Sequence, residues 1–230
     1  MKISIIIPCF NEVNTIEKII NRIIDQVSYE YEIIVIDDHS TDGSRNLLEN
    51  QLKNKINHLF LNDKNYGKGY CLKKGIEIAE GDIILIQDAD LEYSPSEYPK
   101  LVNPILNGYA DVVYGSRFSG SEEKAVLLFW HRLGNFILTT FSNMLTNLNL
   151  TDMEVCYKAF RSDVLKKIDL KEKRFGFEPE ITAKIAKMNL KIFEVGIKYY
   201  GRSYKEGKKI NWKDGFSAIR CIIYYNIFSK

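Results

Sequence analysis

Five short apolar runs, each giving way to polar residues, set the rhythm of the first half of this chain. Ile3–Ile7, Ile33–Ile36, Ile56–Leu61, Ile83–Ile86 and Asp111–Tyr114 read as strands. An apolar run without alternation predicts a strand buried on both faces. Helical spacings lie between them. Ile16, Ile19, Ile20, Ile23 and Ile24 fall on one helical face, and Leu47 and Leu48 follow Thr41 or Asp42 as the expected cap. A third helix runs from Asn65-Tyr66-Gly67-Lys68-Gly69 to about Ala79, and Pro95 opens a fourth that ends near Gly108. Strand and helix in alternation predict an α/β fold with a mostly parallel central sheet flanked by helices on both faces. The second half is less regular: a helix over Trp130–Leu148, a strand over Val155–Phe160, a helix over Pro179–Met188 and a strand over Ile192–Tyr199. The last, aromatic-rich helix is expected over Asn211–Ser229. With no repeat or linker, one domain over residues 1–210 is expected, then an amphipathic segment over 211–230 that packs on it or lies on a membrane surface.

Polar chemistry gathers where the strands run out. Pro8-Cys9-Phe10-Asn11-Glu12 follows the first strand, Asp37-Asp38 to Gly43 the second, and Asp88-Ala89-Asp90-Leu91-Glu92 the fourth. A parallel sheet brings these loops to its carboxyl edge, where open α/β sheets bind ligands. Carboxylates two residues apart can share one hard cation, and that cation can neutralise the diphosphate of a nucleotide. Phe10 is placed to pack on a base. The bland reading of Asp37, Asp38 and Asp42 is helix capping, and Asp42 suits it whatever the function. Three acidic strand ends on one edge are harder to assign to capping alone.

Composition narrows the classes. The chain has 230 residues, 45% hydrophobic and 27% charged, with a net charge of +2, too mild for a nucleic-acid partner. Cys9, Cys71, Cys156 and Cys221 are scattered without zinc spacing, which suggests a reducing compartment. No apolar run approaches the ~18 residues of a membrane span, and no signal peptide is evident. The expectation is a cytoplasmic, peripheral protein. Gly-x-Gly-x-x-Gly and the phosphate-loop signature are both missing, which argues against a dehydrogenase or a P-loop phosphotransferase.

Five ordered motifs resemble the family-two glycosyltransferases of the GT-A fold: Ile-Ile-Pro-x-Phe-Asn-Glu, Asp-Asp-x-Ser-x-Asp-Gly, Asn-x-Gly-Lys-Gly, Asp-Ala-Asp-Leu and Gly115-Ser116-Arg117. Within that family the chain looks most like the dolichyl- and polyprenyl-phosphate sugar transferases. The resemblance implies that Pro8, Phe10, Glu12, Ile36 and Asp38 line a nucleotide pocket, and that Asp88, Ala89 and Asp90 meet the diphosphate. Asp88, Asp90 and Glu92 would hold Mn2+ or Mg2+, Glu92 standing where relatives often carry Gln. Arg117 and Arg202 would bind phosphates, and Lys208 would close over the nucleotide. The Asp-x-x-Ser-Gly-Phe element of the best-known relatives is replaced by Asp152-Met153-Glu154-Val155-Cys156-Tyr157, which leaves the donor sugar and acceptor open.

The implied reaction is a metal-dependent, inverting transfer of a sugar from a nucleotide-diphosphate sugar to a polyprenyl phosphate. Such an acceptor is already anionic and needs a positive clamp, for which Arg117, Arg132 and Arg202 are candidates. With a hydroxyl acceptor, Asp152 is the expected base, and Glu178 or Glu180 the alternatives that could also touch the donor sugar. The rival readings are a same-fold enzyme acting on a saccharide or protein hydroxyl, and a non-catalytic nucleotide-sugar-binding subunit. The expected partners are a membrane surface and either a membrane protein or a second copy of the chain. The apolar residues of 125–145 and of the last segment suit that surface, and equally suit core packing or a dimer seam.

Overall fold

The computed structural model describes residues 1–120, 123–126, 128–202 and 212–229. Its centre is a seven-stranded sheet in the order β3-β2-β1-β4-β6-β5-β7. The strands are β1 (Ile3–Cys9), β2 (Tyr31–Asp37), β3 (His58–Leu61), β4 (Ile83–Ile86), β5 (Val112–Ser116), β6 (Lys158–Arg161) and β7 (Ile192–Gly196). β1, β2, β3 and β4 are mutually parallel where they pair, β5 and β7 likewise. β6 runs antiparallel to both β4 and β5. The apolar runs behave as read: Ile3, Ile5, Ile33, Ile34, Ile83 and Ile84 are fully buried.

The helices are α1 (Ile16–Gln26), α2 (Ser44–Asn50), α3 (Lys68–Ile78), α4 (Tyr98–Leu106), α5 (Phe129–Thr146), α6 (Ser162–Leu165), α7 (Phe177–Ala186) and α8 (Trp212–Ile223). α1 buries Ile16, Ile19, Ile20 and Ile23, the stripe its spacing sets. Asp42 caps α2 from one position further out than the cap itself. Gly43 holds the cap with φ +103°, and the Asp42 carboxylate accepts from Ser44 N at 2.9 Å. A 3-10 turn over Pro95–Glu97 leads into α4. α5, α7 and α8 pack together, and Cys221 of α8 with Tyr225 just beyond it closes on Ala183 of α7. The last segment is therefore core-packed on its inner face. Its outer face leaves Phe216, Tyr224, Ile227 and Phe228 exposed. No helix among the described residues is long and apolar enough to cross a membrane.

Candidate active site

Because β1, β2 and β4 are adjacent and parallel, their carboxyl ends open onto one cleft of about 960 Å³. Pro8, Phe10, Glu12, Asp38, Asp88, Ala89, Asp90, Glu92, Arg117 and Arg202 all line it. Ile36 does not. It is fully buried, with its Cδ1 against Gly75 of α3, because it sits inside the strand where that helix covers the sheet. The reading of Ile36 as a nucleotide contact is corrected on that ground. Lys208 lies outside the described residues.

Asp38 does two jobs. It faces the cleft, and its carboxylate accepts from the backbone N–H groups of Tyr66 (2.9 Å) and Gly67 (2.7 Å) and from Asn62 Nδ2 (2.9 Å). These bonds pin the turn before α3. Gly67 there has φ +97°, and a Cβ on it would lie 2.4 Å from the Lys173 carbonyl oxygen, so the glycine is what lets the two segments approach. The turn delivers Lys68 into the cleft wall. Its Nζ lies 2.7 Å from Asp88 Oδ1, 3.4 Å from Glu178 Oε1 and 2.8 Å from Cys156 Sγ. Burial works against charge at Asp88, yet the Lys68 ammonium prevails and holds that carboxyl below its ordinary value. Lys68 is thus a residue of the cleft.

Arg202 gathers three carboxylates. It reaches Asp90 Oδ2 at 2.7 Å through Nη2, Glu12 Oε2 at 3.0 Å through Nη1 and Glu92 Oε1 at 3.2 Å through Nε. Glu92 also accepts from the Tyr199 hydroxyl at 2.8 Å. One guanidinium does not balance this group. Burial, then the neighbouring Asp88 and Glu92, push the Asp90 carboxyl up to about 8. Among the described residues, no three His, Cys, Asp or Glu side chains stand in a ready metal-binding arrangement, since Lys68 and Arg202 occupy much of the donor set. The charge balance nevertheless fits a cation. Glu12, Asp88, Asp90 and Glu92 share two cationic side chains, and an anionic diphosphate could join them only with more positive charge.

Arg117 and Asp152 are spent on each other. Nε and Nη2 of Arg117 donate to the two Asp152 oxygens at 2.6 and 2.7 Å, and the Arg117 backbone N–H adds a third bond at 3.0 Å. Asn135 Nδ2 gives Asp152 a fourth at 3.1 Å. Asp152 is fully buried and does not line the cleft, so the reading of it as a base is corrected: it orients Arg117. Arg117 itself stays in the cleft wall, 5.4 Å from the Tyr199 ring centre. Arg132 is exposed on α5. Glu180 does not line the cleft and accepts from the backbone of Lys171 and Glu172 at 2.8 Å each. Glu154 and Glu178 do line the cleft, and each keeps one buried oxygen without a partner. Burial, then Glu178 nearby, raises the Glu154 carboxyl to about 8. Spacing alone carried no signal for Glu154; its place is set by the antiparallel strand that follows it.

The chain is similar to several known proteins. The family described as glycosyl transferase family 2 matches residues 4–169. An undecaprenyl-phosphate 4-deoxy-4-formamido-L-arabinose transferase of Aeromonas hydrophila is 28% identical over 90% of this chain, which spans only 62% of that relative's length. An undecaprenyl-phosphate mannosyltransferase of Micrococcus luteus is 27% identical, over 90% of this chain and 87% of its own. An uncharacterized protein of Methanocaldococcus jannaschii is 30% identical, over 99% of this chain and 93% of its own. Among solved structures, glucosyl-3-phosphoglycerate synthase of Mycobacterium tuberculosis, in complex with Mn2+, UDP and glucosyl-3-phosphoglycerate, superposes with a TM-score of 0.75. It is 19% identical, over 98% of this chain and 80% of its own, a likeness of fold.

Proposed function

The chain belongs to glycosyl transferase family 2, and on that premise we propose that it moves a sugar from a nucleotide-diphosphate sugar to a polyprenyl phosphate, with a divalent cation and inversion at the anomeric carbon. The observation that carries this reading is the meeting of Glu12, Asp38, Asp88 and Asp90 from three strand ends in one cleft. Pro8 and Phe10 would contact the base, with Asp38 beside them. Asp88 and Asp90, with Glu92 behind, would hold the cation, which when bound offsets the charge that develops on the departing diphosphate. Arg202 already sits among those carboxylates and would turn its guanidinium to the phosphates. The acceptor oxygen is anionic near neutral pH, so attack needs no base. Arg117, fixed by Asp152, and the exposed Arg132 are the groups that would clamp the acceptor phosphate.

An apolar rim supports a lipid acceptor. Trp130 of α5 and Ala218 of α8 line the cleft, and Trp130 is 75% exposed. The outer faces of the same two helices carry Phe129, Phe136, Phe216 and Ile219, all exposed. We propose that this face rests on the cytoplasmic side of a membrane, with 211–230 as a surface element appended to the 1–210 catalytic domain. The protein is expected to float with anionic phospholipid vesicles, and Phe216→Asp to leave it in the pellet fraction. Wild-type protein that never floats would contradict the docking.

The reaction is tested with radiolabelled UDP- and GDP-sugars, Mn2+ and undecaprenyl phosphate in vesicles. Label is expected in the organic phase, released by mild acid. Label recovered only in a water-soluble saccharide or protein product would instead support a hydroxyl acceptor.

A further inference from the structure

The donor proposed above is a linear molecule, and the strands beneath it stand in a fixed order. Phe10, Glu12 and Asp38 follow β1 and β2, while Asp88 and Asp90 follow β4 next door. β6 is the neighbour of β4 on the other side. A base over β1 and β2, with its diphosphate over β4, therefore carries its sugar toward β6. Lys68, Glu154, Cys156 and Glu178 form the cleft wall there. Glu154 and Cys156 lead into β6, and Glu178 lies in the first turn of α7.

This end of the cleft is rich in acceptors and short of donors. Glu178 is 3% exposed, and its Oε2 has no hydrogen-bond partner. Glu154 Oε1 is buried in the same state. Lys68 cannot make up the deficit, because its ammonium is already shared among Asp88, Cys156 and Glu178. Lys158, fully buried, gives its protons to the carbonyl oxygens of Met153 and Val155. A ligand that brings N–H or O–H groups satisfies both orphan oxygens at once. One that brings a carboxylate meets the buried Glu178 carboxylate at short range.

We infer that Glu154 and Glu178 form the floor of the sugar subsite and select a neutral or amino sugar over a uronic acid. The inference rests on the donor reading above and adds its specificity.

The test compares matched donors that differ only at C6: UDP-glucose against UDP-glucuronate, and GDP-mannose against GDP-mannuronate. Affinities are measured on the whole chain with Mn2+ present. The hexose member is expected to bind at least about thirtyfold tighter than its uronate partner. Glu178→Gln should pull that ratio toward one, since the amide removes a charge and supplies a donor. The ratio is taken within each protein, so a partly folded preparation does not move it. Equal affinity within the pairs, or a ratio that Glu178→Gln leaves unchanged, overturns the subsite and leaves the donor reading standing. If UDP, GDP and all four sugars fail to bind, both fall together.

Discussion

Asp90→Asn is expected to slow sugar transfer by about a thousandfold, some 4 kcal/mol of transition-state stabilisation. The geometry says why so small a change should cost so much. Asp90 sends one oxygen to Arg202 Nη2 at 2.7 Å and the other to the Glu92 backbone N–H at 3.0 Å. Asparagine can still accept from that N–H, so the turn survives while the charge is lost. Single-turnover rates with saturating donor measure the loss; a rate within about threefold of wild type would remove Asp90 from the proposed chemistry.

The same residue sets a pH dependence. Burial first, then Asp88 and Glu92, lift its carboxyl to about 8, against the pull of Arg202. Between its ordinary carboxylate value and about pH 8, the folded chain binds a proton that the unfolded chain has released. Its contribution to stability is therefore present at low pH and lost as pH rises through about 8. A divalent cation must displace that proton. The rise in melting temperature produced by Mn2+ should grow as pH approaches and passes about 8, and Asp90→Asn should leave it small and flat. Thermal unfolding with and without Mn2+ across that range reads both.

The second large effect falls on stability. Asp152→Ala is expected to destabilise the fold by about 3–5 kcal/mol, the usual cost of leaving one half of a buried ion pair behind. Asp152 is fully buried and accepts four hydrogen bonds, three of them from Arg117. The Arg117 side chain is only 14% exposed and would lose its one full partner. For a chain of this size the melting temperature should drop by roughly 10 °C. Asp169→Ala makes the comparison: that carboxylate, paired with Lys171 on the surface, should change the midpoint by little. Equal shifts for the two would show that the Arg117–Asp152 pair has no special weight.

Much of this was legible from residue order because it depends on local pattern. Runs such as Ile83–Ile86 have no polar face to show solvent, so they read as interior strands, and alternation with helices put their polar exits on one edge. Other parts depend on through-space geometry. The direction of β6 is not written in Val155–Phe160, yet it brings Glu154 and Cys156 alongside Asp88. Ile36 was misassigned because a single residue, Asp37, separates it from Asp38, which faces the cleft just past the end of β2. Asp152 looked like a free acid until its guanidinium partner, 35 positions away, came into view. The reach of Arg202 to Asp90 across 112 positions has no local signature at all.

The cleft draws on both halves of the chain. Strand exits before residue 93 face the nucleotide end, while Glu178 and Arg202 lie beyond residue 169, where the family match stops. Changes at Glu178 could thus alter what the far end of the cleft accepts while the strand exits before residue 93 keep their place.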